Sequence, residues 1–340
     1  MLTIIEEFVD IYQMPDFDQA KSSKGAWITM GDLHGNTMKL IFMLFKHGIA
    51  SGISKAEYNE LVRIYRLQPD KVKAEDLLSF TNILCSIHYD NSINIRLIGD
   101  ELADRGSNDY FTLHLLEQLQ LHNINFEIII SNHSIEFLQA CERQSNFHAP
   151  LLHYEHARSM EHLQSLIDKG LVSRDKILSL TNSAYKPNLK ALAYYLNSNK
   201  SEITIFTHAG IGLKELINLA VILQLSYADE TAADLAQTID TINQKFQELV
   251  HQGAVSSLYQ QAEILDGYSG WQVANPFVFM LWNRLYDNLL RPMKHKEYQL
   301  NFVHGHDSNE STRANIFNLD NMLGKADRYH EGDYLVLYID

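Results

Sequence analysis

The chain has 340 residues, 46% of them apolar and 21% charged, with 42 acidic side chains against 28 basic ones and a net charge of −14. Such a chain is long enough to bury a large core and too apolar to be disordered. The acidic excess tells against a nucleic-acid partner, since neutralising a phosphate backbone takes clustered Lys and Arg.

Met1–Glu7 lacks the basic segment of a signal peptide, and no apolar run approaches the ~20 residues of a membrane span. The expectation is a soluble, cytoplasmic protein without an integral membrane segment. Cys85 and Cys141 both sit among apolar neighbours and read as buried free thiols, which fits a reducing compartment.

In chain order, short runs rich in Ile, Val and Phe predict strands at Ala26–Met30, Ile93–Ile98, Phe126–Ile130, Ile203–Thr207, Asn301–Val303, Ala314–Leu319 and Tyr334–Ile339. Helical spacing follows the first (Leu40, Met43, Leu44, His47) and the second (Leu113, Leu116, Leu119). Alternating strands and helices predict an α/β sandwich. Two stretches read as additions to it. Residues 54–90 have the pattern of a helical hairpin broken at Gln68-Pro69-Asp70, and residues 213–265 that of a helical insertion with Leu235, Ile239, Ile242, Phe246 and Leu249 on one stripe. No Pro- or Gly-rich linker divides residues 1–340, so one catalytic domain is expected. The chain stops on the apolar run Tyr334–Ile339, which points to a further domain beyond it.

The chemistry lies at the strand ends. Gly31-Asp32-Leu33-His34-Gly35-Asn36 follows the first run, and Gly99-Asp100-Glu101-Leu102-Ala103-Asp104-Arg105-Gly106 the second. Ser131-Asn132-His133, His208-Ala209-Gly210 and His304-Gly305-His306-Asp307 follow the next three. Open α/β sheets bind ligands beyond the carboxyl ends of their strands, so the five clusters can share one crevice. Carboxylate, imidazole and amide oxygen suit Mn²⁺, Fe²⁺ or Zn²⁺, and two such ions ~3.5–4 Å apart can clamp a phosphoryl group. Any one piece is commonplace, and a lone His34 is more often a surface residue than a ligand. Five in this order are not.

The order Gly-Asp-x-His-Gly, Gly-Asp-(x)-Asp-Arg-Gly, Asn-His, His-Ala-Gly and Gly-His resembles the calcineurin-like metallophosphoesterases. Asp104-Arg105-Gly106 and Leu281-Trp282-Asn283-Arg284 place the resemblance in the phosphoprotein phosphatase branch. The helical insertions and Asn/Gln-rich composition look most similar to the Wip phosphatases, effectors that an intracellular bacterial pathogen injects into its host. The resemblance implies a β-sandwich flanked by helices. It implies one metal held by Asp32, His34 and Asp100, and a second by Asp100, Asn132, His208 and His306, with Asp100 bridging; manganese is the first choice, iron or zinc the others. It makes His133 the general acid, oriented by Asp104, and Arg105 with Arg284 the phosphate-binding pair. The hydrolysis implied is by a hydroxide that the two metals activate, without a phosphoenzyme.

This chain departs from the pattern in places. Three residues, not two, separate Asp100 from Asp104, so pairing Asp104 with His133 needs a bulge. Ser131 and Ser134 replace the usual Gly and Glu around Asn132-His133, and Asp307 follows His306 where bacterial relatives often have Thr.

The resulting expectation is a metal-dependent protein phosphatase acting on phosphoserine or phosphothreonine, with phosphotyrosine left open, and a phosphorylated host protein as partner. Two other readings stand beside it: a diadenosine tetraphosphate-type dinucleotide hydrolase, and an inactive binding module whose metals are structural. His304, His47, His88, His114, His122 and His295 read as packed or exposed residues, and Trp271, Tyr259, Tyr268 and Phe277 as core.

Overall fold

The computed structural model describes residues 2–17, 24–149, 156–260, 275–284, 289–307 and 313–340. Strands run at Leu2–Asp10 (β1), Trp27–Met30 (β2), Ala50–Ser51 (β3), His88–Tyr89 (β4), Asn94–Leu97 (β5), Phe126–Ile129 (β6), Leu189–Lys190 (β7), Ala193–Leu196 (β8), Glu202–Phe206 (β9), Lys294–His295 (β10), Tyr298–His304 (β11), Ile316–Asn318 (β12) and Glu331–Ile339 (β13). Helices run at Thr37–Lys46 (α1), Lys55–Tyr65 (α2), Ala74–Ser86 (α3), Asp109–Leu121 (α4), Asn132–Glu142 (α5), Arg158–Asp168 (α6), Arg174–Leu180 (α7), Leu213–Ile222 (α8), Ala232–Gln252 (α9), Ser256–Gln260 (α10) and Pro276–Trp282 (α11).

The fold is mixed α/β. One sheet has the order β1-β13-β2-β5-β6-β7; a second has β10-β11-β9-β8, with β12 beside β11. The strand period of two decides which face each side chain serves. From β2, β5, β6 and β13, Ile28, Met30, Ile95, Leu97, Ile128, Val336 and Tyr338 join the core shared with the helices. Ile129, Leu337 and Ile339 point the other way and meet Ala193, Phe206 and Val303 of the second sheet in a separate cluster. The two sheets thus bury a layer between them. The Arg96 guanidinium crosses that layer, stacked over Trp27 at 4.6 Å and Phe206 at 3.9 Å and ion-paired with Glu127.

All seven predicted strand runs coincide with strands; the short β3, β4, β7, β8 and β10 and the nine-residue β1 are not among them. That strand pairs antiparallel with β13 along its whole length, from Leu2↔Ile339 to Asp10↔Glu331. Glu6 and Glu7 break its alternation, so its apolar face emerges only against its partner. Cys141 is buried, whereas Cys85 is exposed at the end of α3, which corrects the reading of both as buried; neither is in a disulfide.

Helices α2 and α3 occupy the 54–90 stretch. Ser54 caps α2 reciprocally with Glu57, and Arg63 of α2 pairs with Asp76 of α3 at 2.7 Å. Residues 213–260 contain α8, α9 and α10. Leu235, Ile239, Ile242 and Phe246 are buried along α9, which Thr231 caps and Gly253 (φ 64°) ends in a left-handed turn. Tyr259 and Phe277 are buried, while Tyr268 and Trp271 lie outside the described residues. His47 packs on Tyr334 with a 2.9 Å hydrogen bond, His114 is buried against Tyr110, His122 stacks on Tyr89, and His295 pairs with Asp229. Among the described residues no helix is long and apolar enough to cross a membrane.

Candidate active site

The parallel strands β2, β5 and β6 are neighbours in the first sheet, and the parallel pair β9 and β11 are neighbours in the second. Each is followed at its carboxyl end by one of the polar clusters, and backbone hydrogen bonds stitch those loops together. Leu33 N donates to Gly99 O (3.2 Å), Gly35 N to Asp100 O (2.6 Å) and Gly305 N to His208 O (2.8 Å). The approach is close enough to dictate residue type. A Cβ on Gly305 would lie 1.9 Å from Asp32 Oδ1. His34, Asp100, Ala103 and His306 adopt φ of 57°, 55°, 58° and 68°, a left-handed conformation that costs a non-glycine residue roughly 1–2 kcal/mol.

Asp32, His34 and Asp100 place one side-chain ligand atom each within 4.8 Å of one another, and all three are buried. His208 donates from Nδ1 to the Ile98 carbonyl at 2.9 Å, which leaves Nε2 as the lone-pair nitrogen. That nitrogen lies 2.8 Å from Asn132 Oδ1 and 3.5 Å from Asp100 Oδ1. Burial holds the His208 imidazole below its ordinary pKa despite the Asp100 charge, so three lone-pair atoms converge with no proton to share. Asp32 accepts the His306 amide N–H on Oδ2 (2.9 Å). Its Oδ1, together with Asp100 Oδ1 and His306 Nε2, is buried without a hydrogen-bond partner. The His306 ring sits 4.9 Å from that of His208, and burial pushes its pKa well down. Burial and the nearby Asp320 and Asp100 charges push the Asp32 carboxyl well up. Unpartnered buried acceptors of this kind are costly unless a cation satisfies them, so the donor set fits divalent metal ions.

Asp104 stands beside this cluster. Burial alone would raise its carboxyl; the charge of His133, the hydrogen bond from His34 and the charge of Arg105 outweigh that and hold it below the carboxylate range. Its contacts are His34 Nδ1 at 3.2 Å, Arg105 at 2.7 Å and His133 Nε2 at 3.5 Å. The extra residue before Asp104 is absorbed by the left-handed turn at Ala103, whose carbonyl accepts from His133 Nδ1 at 2.8 Å. Asn132 and His133 open α5, where Ser131 and Ser134 cap each other, Ser134 N donating to Ser131 Oγ (3.0 Å) and Ser131 N to Ser134 Oγ (3.1 Å). Arg105 is partly exposed at the mouth. Arg284 is exposed at the end of the segment 275–284, and its charge reaches His306. His304, one residue before the Gly305 turn, is buried with Nδ1 3.0 Å from Gly305 O.

Two buried charges at the site went unread in the sequence. Asp320 follows β12, a sixth strand end. Its Oδ1 lies 3.3 Å from His34 Nε2, which also hydrogen-bonds Asn321 O at 2.8 Å. The apolar run at 314–319 carried that signal, because the other polar clusters follow such runs. Lys39, on α1, is 1% exposed and donates from Nζ to Asp32 O at 2.7 Å. Burial brings its ammonium down to about 8 against the pull of Asp320 and Asp32. Its helical setting gave no sign that it points at the site.

This architecture, with acidic, imidazole and arginine groups gathered at strand ends, is that of a phosphatase domain. The family model described as "WipA-like, phosphatase domain" matches residues 94–325, and the chain belongs to that family. Among solved structures it is similar to the phosphatase domain from the Legionella effector WipB, with 33% sequence identity and a TM-score of 0.73 over 84% of this chain and 100% of that one. Among curated protein sequences none matches.

Proposed function

We propose that this phosphatase domain is metal-dependent, has a calcineurin-like sandwich fold, and removes phosphate from phosphoserine or phosphothreonine in proteins. The observation that carries the reading is the buried, unpartnered set of Asp32 Oδ1, Asp100 Oδ1 and His306 Nε2 around the His208 lone pair. Asp32, Asp100 and, once its Nε2 turns from the Asn321 carbonyl to the metal, His34 would hold one ion, and Asp100, Asn132, His208 and His306 a second. Manganese is the leading candidate. Bound there, the ions would polarise the phosphoryl group and lower the pKa of the attacking water.

The chain's own residues supply the rest. Arg105, half-turned to solvent and anchored on Asp104, offers paired N–H donors to the phosphate oxygens. His133 has Nδ1 committed to the Ala103 carbonyl, so Nε2 is the nitrogen that gives a proton to the leaving serine or threonine oxygen. Asp104, held ionised, faces that ring at 3.5 Å and would fix its direction. Arg284, whose charge reaches His306, would assist Arg105. The likeness to a domain of a Legionella effector supports a role in a host cell, with a host phosphoprotein as substrate.

The test is hydrolysis of a chromogenic phosphate monoester and of phosphoserine, phosphothreonine and phosphotyrosine peptides, after chelation and after Mn²⁺ is restored, for wild type and Asp100→Asn. Turnover that needs metal and disappears in the variant supports the reading. Turnover undiminished by chelation, or by loss of the bridging carboxylate, removes it. Action on none of the peptides removes the protein-substrate part.

A further inference from the structure

Beside the candidate site lies a cavity of about 380 Å³ whose wall includes Arg63, Arg66, Arg105, Arg158 and Asp327. Four guanidinium groups line it, three of them held by carboxylates (Arg63 by Glu60 and Asp76, Arg66 by Asp327, Arg105 by Asp104), on a chain whose net charge is −14. Such a concentration of cationic donors runs against the charge of the molecule as a whole. Arg105, the candidate phosphate-binding residue, stands in its wall, which places the cavity next to the site.

The parts of this cavity are built, not loose. Tyr65 of α2 is buried and accepts from Ser107 N at 3.0 Å, which bolts the α2–α3 hairpin to the loop after Arg105. Arg158, at the start of α6, donates to the carbonyl oxygens of Arg105 and of Gly106. Those acceptors are neutral carbonyl oxygens. Arg63 is paired with Glu60 and Asp76, and Arg66 with Asp327 at 3.0 Å. Both arginines are about half exposed, and their pairs with Glu60 and Asp327 are exposed ones worth only about 0–1 kcal/mol, whereas Asp76 is largely buried. An incoming anion can displace Glu60 and Asp327 at little cost. Guanidinium forks match carboxylate and phosphate oxygens in pairs.

We propose that this cavity is a subsite for a second anionic group of the substrate peptide: a carboxylate or phosphate on a residue flanking the phosphorylated one. The inference rests on the protein-phosphatase reading and adds to it a preference for acidic or multiply phosphorylated segments. Arg105 takes the phosphate to be cleaved, while Arg63, Arg66 and Arg158 take the flanking anion. The α2–α3 hairpin is then a specificity element.

The experiment measures binding of two labelled phosphoserine peptides by fluorescence anisotropy, one flanked on both sides by glutamates and the other by alanines. It uses the full chain in chelator, so that no turnover intervenes. The glutamate peptide is expected to bind at least ~10-fold more tightly, the effect of one charge-assisted pair. That advantage is expected to vanish in the Arg63→Ala/Arg66→Ala double variant, whose melting temperature checks its fold. Equal affinities in the wild type, no binding of the glutamate peptide, or an advantage that survives the double variant overturns the proposal. Phosphate release with Mn²⁺ restored is read in parallel. A binding preference without release would sink the phosphatase reading on peptides and leave the subsite standing.

Discussion

Removing metal should destabilise the wild type by an amount the structure lets us size. The buried oxygens of Asp32 and Asp100 and the nitrogen of His306 have no partner of their own, so each bound ion stabilises the folded state alone. At a free Mn²⁺ concentration ~100-fold above Kd, each site contributes about 2.7 kcal/mol. An unfolding entropy of ~2.1 cal/mol/K per residue gives roughly 0.7 kcal/mol/K for a chain of this length. Two sites therefore raise the melting temperature by about 8 °C. The assay is thermal unfolding in chelator and in Mn²⁺, for wild type and Asp100→Asn. The variant should lose most of the Mn²⁺-dependent rise, because in the proposed ligand set the Asp100 carboxylate serves both ions. In chelator it should melt no lower than the wild type, since the Asp100 charge itself pushes the Asp32 carboxyl up. A wild type that melts at the same temperature with and without Mn²⁺ refutes the reasoning, as does a variant that keeps the full rise.

Three further outcomes follow. His133→Asn should lower kcat by ~10²–10⁴ on a phosphoserine peptide and far less on a nitrophenyl ester, whose leaving group needs no proton; equal losses on both would show that His133 is not the acid. Gly305→Ala puts a methyl group where Asp32 Oδ1 now lies, 1.9 Å from the added carbon, so the Mn²⁺-dependent rise in melting temperature should disappear, and its survival would contradict the packing described. Burial lifts the Asp109 carboxyl to about 7, against ~3.9 unfolded. The folded state then holds the extra proton, so this stability is complete below pH ~4 and lost as pH rises through about 7. Asp109→Asn should consequently raise the melting temperature at pH 8 more than at pH 5, and an equal effect at both would count against it.

The strand ends were legible because each motif is contiguous and follows an apolar run of strand length. Asp32, His34, Asp100, Asn132, His208 and His306 were each named from such a pattern, and the fold brings them together. The distance between Asp104 and His133 was not legible. It depends on the sign of φ at Ala103, and an alanine in the left-handed region has no signature in sequence. Lys39 was hidden for the opposite reason, since a lysine on a helix normally extends to solvent, while here the Asn321 side chain and Gly324, in the loop after β12, lie against it. Strand β1 was missed because its pairing partner lies at the far end of the chain. Asp320 alone among the unread residues obeyed the rule that found the others.

The two serines around Asn132-His133 show how a departure from the family pattern is absorbed. A Glu three residues after a helix cap normally reaches back to the cap's N–H. Here the Ser134 hydroxyl takes that N–H, and Ser131 returns the bond, so the first turn of α5 is satisfied without a charge. The space has a carboxylate of its own. Glu101, the residue after Asp100, is fully buried, accepts from the Tyr185 hydroxyl, and reaches the Ser134 side chain. Burial raises its carboxyl to about 8, so the site already disfavours a carboxylate charge there. A glutamate at 134 would set a second buried carboxylate against it, with Asp100 close by, and like charges in a dry site cannot all ionise. The hydroxyl at 134 thus lies against the buried Glu101 without adding a second acid, and the helix start that carries Asn132 and His133 keeps its cap.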